Sequence, residues 1–130
     1  MSLTIQDFGG RCEVNSISDL EHVLSRRYGP GVNGFWISHS NEEFPTLALL
    51  VNGNHAVLHY FPVANHPGFV SVGREEGLDP KGFTTFSIDT VEQETELWNG
   101  HVVDFSKAMA AAKDFFAANE LPKSIDWDEL

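Results

Sequence analysis

The sequence predicts an α+β fold: a mainly antiparallel β-sheet, arranged as a meander, with an N-terminal and a C-terminal helix packed on it. Three observations predict it. Two β-type runs, residues 46–51 and 55–61, flank Asn52-Gly53, a dipeptide suited to a tight hairpin turn. Further short β-type runs, bounded by Gly, Pro, Asn and Asp, follow at 69–73, 84–88 and 92–98. Near the C-terminus, FSKAMAAAKDFFAAN repeats apolar residues at helical spacing instead. The chain has 130 residues, 42% of them hydrophobic, which suits one domain spanning 1–130 with a core of its own.

Each element has a local reason. A short strand is expected near 11–15. A helix follows, with Ser18 and Glu21 as a capping box and Leu20, Val23 and Leu24 as its apolar stripe. Tyr28-Gly29-Pro30-Gly31 ends it. GFWISH (34–39) is a strand, and Asn41-Glu42-Glu43 a polar turn. Along 46–51, Leu47, Leu49 and Val51 share one face, while Ala48 and Leu50 point to the other. Both faces are apolar, so this strand is central, with at least one face under a helix. In the last β-type run Glu92, Glu94 and Glu96 put carboxylates about 7 Å apart on one strand face, which must therefore see solvent or a cationic partner. Ser106 caps the last helix. Phe105, Met109, Ala112 and Phe116 form its buried stripe, with Ala108 and Phe115 alongside. Trp127, in the tail, is expected to dock to the body.

Net charge is −11, and unevenly spread: residues 1–65 carry 6 acidic and 3 basic side chains, residues 66–130 carry 13 and 5. Such a field repels nucleic acid and anionic lipid and speeds encounter with a basic partner; it also serves solubility alone. No run reaches the ~18 apolar residues of a membrane span, and no basic-then-apolar leader opens the chain. With Cys12 as the one cysteine, a reducing cytoplasm is the expected location.

No catalytic or metal-binding motif emerges. His55 and His59 are four residues apart on a strand, about 13 Å, too far for two ligands of one zinc ion; exposed cross-strand polar positions describe them better. Cys12 has no nucleophile signature around it and reads as a small apolar residue. Neither Gly9-Gly10 nor the glycines at 29–34 match a phosphate loop. His66-Pro67-Gly68-Phe69 is a stiff strand-entry turn. Residues 74–80 form a charged loop, either plainly solvated or an acidic rim facing a partner.

One set of residues carries a family likeness: LALLV (47–51) with Gly53, AVLHYFP (56–62), HPGFVSVG (66–73), and a C-terminal set of Val103-Asp104-Phe105-Ser106 with Ala108, Phe115-Phe116, Leu121-Pro122, Ile125 and Trp127. On these the chain resembles the Imm-type immunity proteins of bacterial polymorphic toxin systems, the family often encoded beside deaminase toxins. The likeness runs over residues 34–130. The matched positions are mostly glycines, prolines and core aromatics, so the resemblance implies a fold and a role but no contact residues. The implied role is to bind a cognate toxin and silence it in the producing cell; a non-enzymatic protein acting by occlusion is expected, with active-site plugging and binding at a distal surface both open. The implied toxin is a nucleic-acid deaminase or another nucleic-acid-targeting enzyme.

Such a toxin needs a basic groove for phosphates, which an acidic protein can occupy. The expected partner is thus the toxin protein, with no nucleic acid, membrane, metal or cofactor and no catalytic residue. Glu75, Glu76 and Asp79 come first as binding residues, because one loop presents all three; Glu42, Glu43, Glu92, Glu94 and Glu96 follow. Trp36, Tyr60 and Trp98 are candidate aromatic anchors, each weighed against a place in the core. Two rival readings stay open: a small enzyme with a carboxylate or histidine pocket, and a generic protein-binding adaptor. Oligomeric state also stays open, because an exposed edge strand can pair in a dimer.

Overall fold

The computed structural model describes residues 2–130. Ten strands and two α-helices follow one another as β1 (Leu3–Asp7), β2 (Gly10–Val14), α1 (Ile17–Leu24), β3 (Val32–His39), β4 (Thr46–Asn52), β5 (His55–Phe61), β6 (Phe69–Val72), β7 (Phe83–Ser87), β8 (Glu94–Trp98), β9 (Val103–Asp104), α2 (Phe105–Ala118) and β10 (Asp126–Glu129). A 3-10 turn at Asn99–His101 joins β8 to β9. The main sheet runs β10-β6-β5-β4-β3-β1-β2, every described pair antiparallel, with short β9 also pairing β5. Strands β7 and β8 form a separate hairpin. The α+β class, the antiparallel sheet and the two flanking helices are as the sequence predicts.

The hairpin register organises the sheet. Asn52 pairs His55 across a two-residue loop, Gly53-Asn54. The positive φ belongs to Gly53 alone, at +58°; Asn52 remains in the strand. Glycine at the first central position suits a primed turn, whose twist matches that of the strands.

Two corrections concern helix starts. Ser16, not Ser18, caps α1, its hydroxyl accepting from Asp19 N–H at 3.1 Å. Asp104, not Ser106, caps α2, its carboxylate accepting the Ser106 N–H at 3.0 Å and binding its hydroxyl as well. An aspartate caps at least as well as a serine, and a cap must precede the first helical residue. The buried stripe of α2 centres on Ala108, Ala111, Ala112 and Phe115, while Phe105, Met109 and Phe116 are only partly buried. The expectation had placed the stripe about one residue around the helix.

Alternation along the strands makes two cores. Ile5, Phe35, Ile37, Leu47, Leu49, Val51, Ala56, Leu58 and Tyr60 pack under α1 and α2. On the other face Val57, Val70, Phe86 and Val102 make a smaller cluster with Leu50, Leu78 and Leu97 beneath the β7–β8 hairpin. Asn52 Nδ2 ties that hairpin down by donating to the Thr85 carbonyl at 2.9 Å. Three strands have no counterpart in the sequence expectations: β1, the two-residue β9, and β10. β10 draws Trp127 against Tyr60, its indole N–H donating to the Pro122 carbonyl at 2.8 Å, so the docking of Trp127 follows expectation.

The HPGFVSVG segment is structural. Gly68 holds φ +95° and donates its N–H to His66 Nδ1 at 2.8 Å. The His66 ring stacks on Phe69 at 5.5 Å. Gly73 lies so close to the Val102 backbone that any Cβ would overlap it.

Candidate partner-binding site

The eight acidic side chains singled out from the sequence do not form one patch. Glu75 is tied inward: its carboxylate accepts the Asp104 N–H at the start of α2 and pairs with Lys107 at 3.0 Å, leaving the side chain 16% exposed. Glu76 and Asp79 are exposed, and Asp79 Oδ1 accepts the Lys81 N–H at 3.0 Å. Glu94 and Glu96 lie exposed on the outer face of the β7–β8 hairpin, and Glu92 belongs to the preceding turn rather than to the strand. Glu42 and Glu43 stand exposed in the β3–β4 connection, Glu42 Oε2 accepting from Asn119 Nδ2 at 3.0 Å.

The candidate aromatics separate sharply. Tyr60 is core, at 5% exposure, because it faces the helices between Phe115 and Phe69. Trp98 and Trp36 are 46% and 45% exposed. The Trp98 indole N–H donates to the Pro80 carbonyl at 3.0 Å and the ring meets His101 edge-on at 5.1 Å. Among the described residues no acceptor pairs with the Trp36 N–H, whereas Trp98 and Trp127 both have one.

Trp36 lies on the sheet face opposite the helices, where only the turn of the β7–β8 hairpin, through Ile88 and Asp89, comes near it. The register builds that surface in two rows. One runs Arg11, Gln6, Trp36, Ala48, His59; the next runs Glu13, Thr4, Ser38, Thr46, Phe61. Five adjacent strands make each row about 19 Å wide. Trp36 stacks on Phe61 at 6.4 Å and Phe61 on His59 at 6.1 Å. Ala48 is too small to fill the space between them. A notch of about 190 Å³ results, lined by Trp36, Ala48, Leu50, His59, Phe61, Ile88 and Asp89. On the other side of Trp36 a broader hollow of about 420 Å³ is walled by Thr4, Gln6, Arg11, Ser38, Glu42, Glu43 and Thr46.

His59 and Phe61 were not singled out as binding residues, and His59 is half-buried in an aromatic row rather than an exposed polar position. A signal was available: a two-residue turn after Asn52 sets Ala48 opposite His59, leaving a small residue beside large rings.

The groups with displaced ionisation are scattered, and each has a local cause. Hydrogen bonds from Ser40 and Thr4 hold the Glu13 carboxyl below its usual range. Hydrogen bonding by Ser106 does the same for Asp104. Burial lowers His59, aided by the nearby His101. Burial also lowers Arg27, whose guanidinium stacks 4.5 Å over Phe105, and raises Tyr60. These groups lie on the edge strand, at the start of α2, on the open face, after α1 and in the helix-side core. Ionisation is thus tuned to local packing at separate places, not concentrated in one cleft.

No family model matches the sequence. A curated protein of Burkholderia cenocepacia (strain H111), a double-stranded DNA deaminase immunity protein, is 30% identical over 124 residues, covering 95% of this chain and 97% of that protein. The alignment thus spans both cores, the aromatic row and the HPGFVSVG segment. Among the described residues no helix is long and apolar enough to cross a membrane. Likeness end to end at that level, on the α+β frame the resemblance implied, makes this chain a member of the deaminase-toxin immunity protein family.

Proposed function

We propose that this protein binds the deaminase toxin encoded beside it and blocks it by covering the toxin's nucleic-acid groove, performing no reaction and using no cofactor. The producing cell's cytoplasm is where it acts. The observation that carries this reading is the end-to-end likeness to a double-stranded DNA deaminase immunity protein. The charge fits the role. A DNA-acting enzyme concentrates Lys and Arg along its phosphate track, and a protein of net charge −11 is drawn to it over long range. Occlusion asks only for affinity, which agrees with ionisable groups whose shifts are dispersed and locally explained.

Co-expression with the neighbouring toxin tests this reading. Restored growth together with co-purification of the two proteins is expected. Failure of both, with the toxin active and this protein folded, overturns it. The exposed acids Glu42, Glu43, Glu76, Asp79, Glu92, Glu94 and Glu96 supply the steering field, with Glu75 contributing from a half-buried place. Reversing Glu76 and Asp79 together is expected to slow association more than it speeds dissociation, in stopped-flow at low salt. An unchanged association rate removes that loop from the encounter.

A further inference from the structure

We propose that the uncovered sheet face centred on Trp36 is where the toxin docks, with an arginine or lysine side chain of the toxin's basic groove resting against the Trp36 ring between Glu42 and Glu43. The proposal rests on the immunity reading above and deepens it.

The geometry favours this face over the surface around Trp98, the other exposed tryptophan. Stable interfaces are held by a few aromatic or arginine anchors set in pockets and ringed by polar groups. The Trp36 face has that build. The ring is large, half-exposed and stacked on Phe61, which is itself stacked on His59, so little side-chain freedom remains to be lost on binding. The 190 Å³ notch beside it is apolar, and Ile88 adds exposed apolar surface at its edge. The indole N–H has no protein acceptor among the described residues and is free to meet one across an interface.

The rim is charged with the right sign. Glu42 and Glu43 line the hollow on one side of the ring, Asp89 lines the notch on the other, and Glu13 stays ionised at the edge strand. Against these four carboxylates the face carries one guanidinium, Arg11, at its margin. The His59 imidazole, held neutral by burial, adds no repulsion to an arriving cation. A tryptophan face near carboxylates is the arrangement that holds a guanidinium or ammonium group. The other exposed tryptophan lacks this freedom: the Trp98 indole N–H is already donated to the Pro80 carbonyl. What distinguishes the two is therefore unsatisfied bonding capacity, not exposure.

The test is calorimetric titration of Trp36→Ala, Trp36→Phe and the loop variant Glu42→Lys/Glu43→Lys with a catalytically inactive form of the neighbouring toxin. Phe83→Ala, exposed on the outer face of the β7–β8 hairpin, serves as the control. Trp36→Ala is expected to weaken binding roughly 30-fold or more, as a hot-spot residue does. Trp36→Phe is expected to lose less, because a phenyl ring keeps part of the cation contact. The charge-reversed loop is expected to weaken binding in a salt-dependent way, and Phe83→Ala to bind as the wild type does. Circular dichroism and thermal melts report folding; the loop variant alters only exposed side chains and keeps the test decisive if Trp36→Ala unfolds. Folded Trp36→Ala or loop variants that bind within twofold of the wild type overturn the proposal. So does a concentration-dependent dimer lost in Trp36→Ala while toxin binding persists, which would seat a second copy here. Wild-type protein that ignores the toxin overturns the immunity reading and this one together, whereas wild-type binding with indifferent variants overturns this one alone.

Discussion

The two faces of the main sheet are built from the same strands yet finished differently. The helix-side face is closed over its central strands, with Phe35, Leu47, Leu49, Leu58 and Phe115 removed from water. The opposite face is closed only where Phe86 and Leu97 of the β7–β8 hairpin reach Leu50, Val57 and Val70. Two residues further along the central strands, at the next positions on that face, the cover thins to the hairpin turn, and Trp36, His59 and Phe61 take over. Apolar alternation therefore prepares two faces for burial, but the fold supplies only enough chain to bury one and a half. The bare half carries the rings and the acidic rim. A folded protein that keeps a stacked aromatic row in water is keeping surface for contact.

Substitutions on the two faces should separate stability from binding. The largest effect is expected at Phe115, fully buried and edge-on to both Tyr60 and His39. Phe115→Ala should cost about 3–5 kcal/mol in urea unfolding, through lost burial and the cavity left behind. A loss under about 1 kcal/mol would mean that α2 is not the main cover of that face. Next comes Asp104→Ala, which removes the cap of α2 and should cost about 1 kcal/mol; Asp104→Ser should recover most of it. On the open face, Trp36→Ala should cost under about 1 kcal/mol in the same measurement while weakening partner binding most. Equal stability losses at Trp36 and Phe115 would erase the distinction between the faces.

The smallest effect concerns pH. Burial, with His101 second, holds the folded His59 below its ordinary value of 6.5. As pH falls through that value the unfolded chain takes up the proton first and binds more protons than the folded one. Stability is therefore full above about pH 6.5 and declines as pH drops toward the folded value. Denaturation midpoints from pH 7.5 to 5 should carry this slope, and His59→Gln should reduce it. An identical slope in the variant would assign it to other groups.

Much of the frame is legible in the residues. The Asn52-Gly53 hairpin, the alternation of Leu47, Leu49 and Val51, and the apolar repeat of α2 are local patterns, and local patterns follow from backbone geometry. Helix starts were misread at Ser18 and Ser106 because several capping side chains sit within two residues of each start, and only the backbone path decides which one precedes the helix. β10 escaped because a short terminal strand gains its stability from pairing with a distant neighbour, β6, not from its own residues, and β1 is held between adjacent β2 and distant β3.

The candidate site divides the same way. By itself the sequence determined the charge, the supply of exposed carboxylates and the kinship to toxin immunity proteins, since composition and matched motifs are properties of residues one at a time or in short runs. Only the tertiary structure decided that Tyr60 is buried while Trp36 is not, that Glu75 turns inward to Asp104 and Lys107, and that Trp36, Phe61 and His59 meet. Those outcomes depend on strand register and on how far the β7–β8 hairpin reaches across the sheet. Both are set by contacts between segments far apart in the chain, where burial energy and not local preference chooses the arrangement.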